Sequence, residues 1–101
     1  MATTTKALFR GAATTNTATV LYTTPSSTTT VLTNIIVTNT AATAGTFTLA
    51  IAGTAVATTV AVAANSITSI DLKQVLNTTN TITGGASATT VNFHISGIEL
   101  S

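Results

Sequence analysis

Apolar and small polar side chains alternate with period two through most of this 101-residue chain, and that alternation restricts the fold more than any other feature of it. In TFTLAIAG, residues 46–53, Phe47, Leu49 and Ile51 fall on one side, with Thr46, Thr48 and Ala50 on the other. In ATVLYT, 18–23, Val20 and Tyr22 oppose Thr19, Leu21 and Thr23; in TTVNFHIS, 89–96, Val91, Phe93 and Ile95 oppose Asn92, His94 and Ser96. A strand turns successive side chains to opposite faces, so each segment reads as a half-buried antiparallel strand. Threonine and valine are β-branched and stiff at χ1, which suits a pleated surface better than a helix.

Turn-forming residues punctuate the pattern at Pro25-Ser26-Ser27, 41–45, Gly53, Ala63-Ala64-Asn65, 77–80 and Gly84-Gly85, the last pair reading as a hairpin turn. Their spacing predicts about eight short strands, near 6–12, 17–24, 29–39, 45–52, 55–62, 66–72, 80–83 and 89–100. The expected fold is all-β: a single-domain antiparallel β-sandwich over 1–101, jelly-roll-like or Ig-like, with 1–5 as a flexible N-terminal arm. One domain of this length supports one core, assigned to Leu32 or Val31, Ile35, Val37, Phe47, Leu49, Ile51, Val60, Ile70, Leu72, Ile82, Phe93 and Ile95.

Two places break the alternation. Ile35-Ile36-Val37 runs apolar on both parities, so either both faces of that strand are covered or one of them meets another subunit. At Gly97 the phase is expected to slip, because Ile98 and Leu100 continue on the parity opposite to Ile95, and glycine suits a bulge or crossover. DLKQVLNTTN, 71–80, holds the only helix-favouring residues and has room for one turn at most.

Charge is almost absent. Lys6, Arg10 and Lys73 against Asp71 and Glu99 give a net charge of +1, and no residue between Arg10 and Asp71 is charged at neutral pH. So few cations cannot neutralise a phosphate backbone, which argues against nucleic acid as a partner. No apolar run is long enough for a membrane helix, and MATTTKALFR lacks the apolar segment of a signal peptide, so synthesis in a cytoplasm is expected. Without cysteine, stability must come from packing and backbone hydrogen bonds.

Catalytic chemistry is poorly supplied. A hydrolytic triad would need the lone His94 together with one of two carboxylates, and His94 alternates with Phe93 and Ile95 so as to face away from the core. A glycosidase would need Asp71 and Glu99 to face one another, whereas Asp71 beside Lys73 reads as a local solvated pair. Zinc and calcium want clustered nitrogen, sulfur or charged oxygen ligands that are missing here, and Gly84-Gly85 lacks the lysine and helix of a phosphate loop. The chain therefore reads as a non-enzyme without cofactor or metal. Threonine ranks could suggest ice binding, but no solenoid period is present; a single proline argues against a mucin-like stalk.

What remains is the surface. Freely diffusing domains commonly carry about 25–35% charged residues on their exterior; this chain has 5% in total. Threonine and asparagine wet a face without the desolvation penalty that charges bring to an interface, so the domain is expected to work packed against its own copies or a larger assembly. Strand edges and the segments 1–5 and 98–101 are the natural docking elements.

The order of segments KALFRG, TATVLYTTPSSTTTVLTNIIVTNT, GTFTLAIAG, AANSITSIDLKQVLNTTNTI and VNFHISGIEL resembles a group of small virion proteins of tailed bacteriophages, with Asn80 where that group suggests an acidic residue. The resemblance covers nearly the whole chain, and its motifs describe strands and turns, marking no active site. It implies a capsid decoration protein on the outer surface of the virion, a homotrimer that clamps the major capsid protein. Lys6 and Arg10 would then be the capsid contacts, and Ile98 and Leu100 the subunit contacts. The alternatives are a tail-fibre, tail-tip or tail-tube component, or a receptor- or carbohydrate-binding module, for which Tyr22 would have to serve as the aromatic platform.

Overall fold

The computed structural model describes residues 3–71 and 73–101. They form nine strands: β1 (Thr3–Ala12), β2 (Val20–Thr23), β3 (Thr29–Asn39), β4 (Gly45–Ile51), β5 (Thr54–Val62), β6 (Ser66–Ile70), β7 (Gln74–Leu76), β8 (Thr81–Ala86) and β9 (Val91–Leu100). All pairings are antiparallel and fall into two sheets. The first runs β1-β9-β3-β6, with β7 also paired to β3; the second runs β2-β8-β4-β5.

Because β9 lies along one side of β3 for its whole length, β6 (beside 35–39) and β7 (beside 30–32) share the other side as one interrupted strand. Apart from the β4–β5 hairpin and the β6–β7 step, every connection crosses between sheets. That winding is a jelly roll rather than an immunoglobulin sandwich.

The core lies between the sheets. Phe47 of β4 and Phe93 of β9 meet edge to face at its centre, ring centroids 6.2 Å apart and planes at 73°. Leu32, Ile35 and Val37 of β3, Leu49 and Ile51 of β4, Ile82 of β8 and Ile95 of β9 complete most of the expected set. Leu32 rather than Val31 points inward. Leu72 lies outside the described residues. Ile70 is half-buried against the core. Val60, expected inside, is 40% exposed: β5 is an edge strand with two register shifts against β4, so it drifts away from the sandwich.

Leu8, Tyr22, Val62, Leu76 and Val91 join the core as well. Val20 and Tyr22 share parity in sequence, yet Tyr22 is buried and Val20 is exposed. The register shift between them, at Leu21, leaves that residue unmatched against β8 and separates the two.

Four further expectations are corrected. Thr3, Thr4 and Thr5, assigned to a flexible arm, pair with Leu100, Glu99 and Ile98 as the first residues of β1, because β9 extends far enough to template them. Residues 74–76 are strand β7 rather than a helical turn, since Leu76 finds a buried place opposite Thr30. Gly84 and Gly85 lie inside β8, where neighbouring backbone comes too close for a side chain: a Cβ on Gly84 would sit 2.6 Å from the Thr48 carbonyl, and one on Gly85 would strike the carbonyl of Asn16.

The fourth concerns Gly97. Register along β9 keeps its parity through Gly97, and the bulges fall on its neighbours, at Leu8 in β1 and Thr33 in β3. Gly97 is buried, and a Cβ there would lie 2.7 Å from the Val31 carbonyl and 2.8 Å from a methyl of Leu8. The bulged Leu8 occupies the space an inward side chain at 97 would have taken.

The β4–β5 connection is a two-residue loop, Ala52-Gly53, with φ of 52° and 82°. Positive φ at both positions is the signature of a type I′ turn, whose right-handed twist matches the flanking strands and which favours Asn-Gly. Alanine tolerates that region poorly. Ala52→Asn is therefore expected to stabilise the domain by about 0.5–1 kcal/mol, read as a rise of a few degrees in the thermal midpoint.

Candidate interaction face and the tie beneath it

Since β9 keeps its parity, Val91, Phe93, Ile95, Gly97 and Glu99 face the second sheet while Asn92, His94, Ser96, Ile98 and Leu100 face outward. Glu99 is the only carboxylate on the inner side of the described strands, and its side chain is 14% exposed. Two neighbours hold it and a third backs one of them. Lys6 on β1 approaches to 3.4 Å; the Tyr22 hydroxyl, reaching across from β2, donates to the carboxylate; and the Thr30 hydroxyl on β3 lies 2.8 Å from the same phenol oxygen.

The phenol bridges the two sheets at this end of the sandwich. Burial, followed by the hydrogen bond to Glu99, raises the Tyr22 phenol above its ordinary value of about 10, while the Thr30 bond opposes the rise.

This tie was missed in sequence. Straight period-two counting from Val91 through Gly97 places Glu99 inside; the apolar character of Ile98 and Leu100 suggested the opposite phase. Tyr22, considered as a sugar platform, has its ring buried and its hydroxyl committed within the domain.

Lys6, Arg10 and Ile98 do come together, around a shallow depression with Thr33 and Ser96 where the two bulges open the ladder beside Gly97. The two cations differ. Lys6 is half exposed but paired to Glu99, whereas Arg10 makes no ion pair among the described residues and stands opposite His94 across the β1–β9 ladder. His94 is half-buried on the outer face, between Arg10 and Ile36. Leu100 lies one outward position beyond Ile98, opposite Thr3 and Thr29.

Outward pairs give this face its character. Ile98 of β9, Val31 of β3 and Val75 of β7 stand in register across three strands, with Thr5 of β1 at the end of the row. Val75 is 60% exposed. Ile36, the central residue of the apolar triplet, is half-buried on the same face beside His94 and Ser69.

The edges of the sheets are less inviting than the sequence suggested. β1 carries Lys6, Arg10 and a bulge; the opposite edge is broken between β6 and β7, where Asp71 and Lys73 form an exposed pair at 3.0 Å. In the second sheet, β5 has two register shifts and a positive φ at Thr59, and β2 is four residues long. Charges, bulges and short strands all blunt edge-to-edge pairing, so the outer face of the first sheet is the better place to look for a partner.

In comparisons with protein-family models and with curated proteins, no family model and no curated protein matches this chain.

Replacing Tyr22 by phenylalanine leaves Glu99 and Thr30 without the phenol and is expected to cost about 1–3 kcal/mol in urea unfolding. The phenol's folded pKa lies above its unfolded one, so its contribution is complete below about pH 10 and is lost as pH rises through the folded value. The alkaline loss of stability should therefore be shallower in Tyr22→Phe than in the parent.

Proposed function

We propose that this chain is a structural virion protein, a decoration protein that binds the outer shell of a tailed-phage capsid and stabilises contacts between capsomers without any chemical step. The observation that carries the reading is the outer face of the first sheet. It sets apolar Ile98, Val31 and Val75 among threonines, with Arg10 the only cation on it that lacks a carboxylate partner among the described residues.

Such a face loses water cheaply and strands little charge when buried, as suits contacts repeated many times over a symmetric shell. Jelly rolls are frequent among viral capsid and lectin domains, which supports the reading as an analogy of fold alone. Arg10 is the better candidate for an acidic group on the shell, because Lys6 already neutralises Glu99. The buried Tyr22 ring counts against a carbohydrate-binding module built on an aromatic platform.

Quantitative mass spectrometry of purified virions tests the role by counting copies of this chain relative to the major shell protein. Hundreds of copies are expected for a decoration protein. A handful to a few tens would move it to the tail or a fibre, and absence from the particle would overturn the virion role altogether.

A further inference from the structure

We infer that the shallow depression beside Gly97, on the outer face of the first sheet, seats an acidic loop tip of the shell protein, with Arg10 holding its carboxylate. The inference rests on the decoration role and names the chemistry of its contact. Two bulges make the seat: each neighbour of β9 carries one extra residue at the same level, Leu8 in β1 and Thr33 in β3. Paired bulges of this kind re-aim side chains beside functional surfaces. Leu8 turns into the core, and the Thr33 hydroxyl donates to the Ser96 carbonyl at 3.0 Å, which pins the second bulge to β9. Ala7 stands opposite Ser96, so the floor between the bulges carries only small side chains, with Ile98 and Arg10 rising at its sides.

The sign of the seat follows from what β9 turns to its other side. Glu99 faces the second sheet and takes Lys6 with it, at 3.4 Å. Asp71, the other acidic side chain, pairs with Lys73 at the opposite edge of the first sheet. Arg10 is thereby left without an ion pair among the described residues. His94 stands opposite it, and Ser96 is the next outward position along β9. Of Ser96 only the carbonyl is engaged by a side chain, so its hydroxyl and the guanidinium are both open to an incoming acceptor. An uncompensated cation beside a free hydroxyl complements an anion.

Three observations choose a protein carboxylate as that anion. A guanidinium meets a carboxylate through two parallel N–H···O bonds, which a lysine's point charge does not offer. One unpaired cation is too little for a nucleic-acid backbone, whose affinity grows with the number of phosphates neutralised. The depression holds about 510 Å³ but lies open to solvent, whereas sites for small molecules enclose most of their ligand. An open seat next to the apolar row of Ile98, Val31 and Val75 suits a projection from a larger surface, its acidic tip on Arg10 and its apolar surroundings on the row.

Co-sedimentation of the purified chain with phage shells that lack it, over a series of salt concentrations, is the test. Arg10→Gln should weaken binding about tenfold or more and flatten its dependence on salt. Arg10→Lys keeps the charge but loses the fork, so it should retain the salt dependence while still binding more weakly. Ala7→Leu fills the floor from an exposed position on an edge strand and should weaken binding about tenfold or more with the salt dependence unchanged. Thermal unfolding checks that each variant is folded, and the two sites keep the test open if one variant is not. Parent-like binding by folded Arg10→Gln or Ala7→Leu would overturn the seat and leave the decoration role standing. A parent chain that does not bind the shells would overturn both. Self-association of the chain that Ala7→Leu abolishes, with shell binding unmoved, would give the depression to a second copy and overturn the inference.

Discussion

The hydrogen bond from the Tyr22 phenol to the Glu99 carboxylate joins β2 of one sheet to β9 of the other, and the arrangement of this end of the molecule depends on it. β9 is flanked on both sides, by β1 and by β3, so its parity decides which residues of three strands face inward. Farther along the strand Phe93 fixes that parity by packing against Phe47. Toward the end of β9 the inner positions pass to Gly97 and Glu99, which offer no apolar surface, and parity is held by polar contacts. Tyr22 of β2 and Lys6 of β1 supply the partners of Glu99, and Thr30 of β3 hydrogen-bonds the Tyr22 phenol in turn. A carboxylate in this place without them would be a costly defect; with them it becomes a four-strand junction.

The surface follows from that junction. Turning Glu99 in turns Ile98 and Leu100 out, and the register of β3 and β7 sets Val31 and Val75 beside Ile98. The fold thus presents a face of low charge whose apolar row crosses the strands, while the chain's few charges lie mainly along the margins of the same sheet. Lys6 and Arg10 stand on the β1 edge, and Asp71 and Lys73 at the break between β6 and β7. Charge at the margins discourages edge pairing and leaves the face as the surface suited to association. A threonine-rich exterior is the complement of this arrangement, wet when free and inexpensive to bury.

Much of the fold was legible because period two is a direct readout of strand faces. β3 spans the predicted 29–39, and β4, β5 and β9 fall close to their predicted places. The failures share a cause: a bulge or a close backbone approach overrides local pattern, and neither has a strong signature in one sequence. Gly84-Gly85 looked like a turn, because glycine pairs usually mark turns and nothing in sequence reveals the loop carbonyl of Asn16 lying against β8. Val20 and Tyr22 were separated by a shift at Leu21, and Val60 was carried outward by the irregular β5 edge. Of the candidate site, Lys6, Arg10 and Ile98 were named from sequence and do converge. The Tyr22–Glu99 tie was not, since it joins residues far apart in the chain across a turn of the jelly roll.

The most direct test of the account is a double-mutant cycle on that tie. Unfolding free energies would be measured in urea for the parent, Tyr22→Phe, Glu99→Ala and the double variant. A hydrogen-bonded phenol and carboxylate at a buried junction should show a coupling of about 1–2 kcal/mol. If the two losses simply add, to within about 0.3–0.5 kcal/mol, Glu99 is not held by Tyr22 and the explanation for the outward turn of Ile98 and Leu100 is wrong.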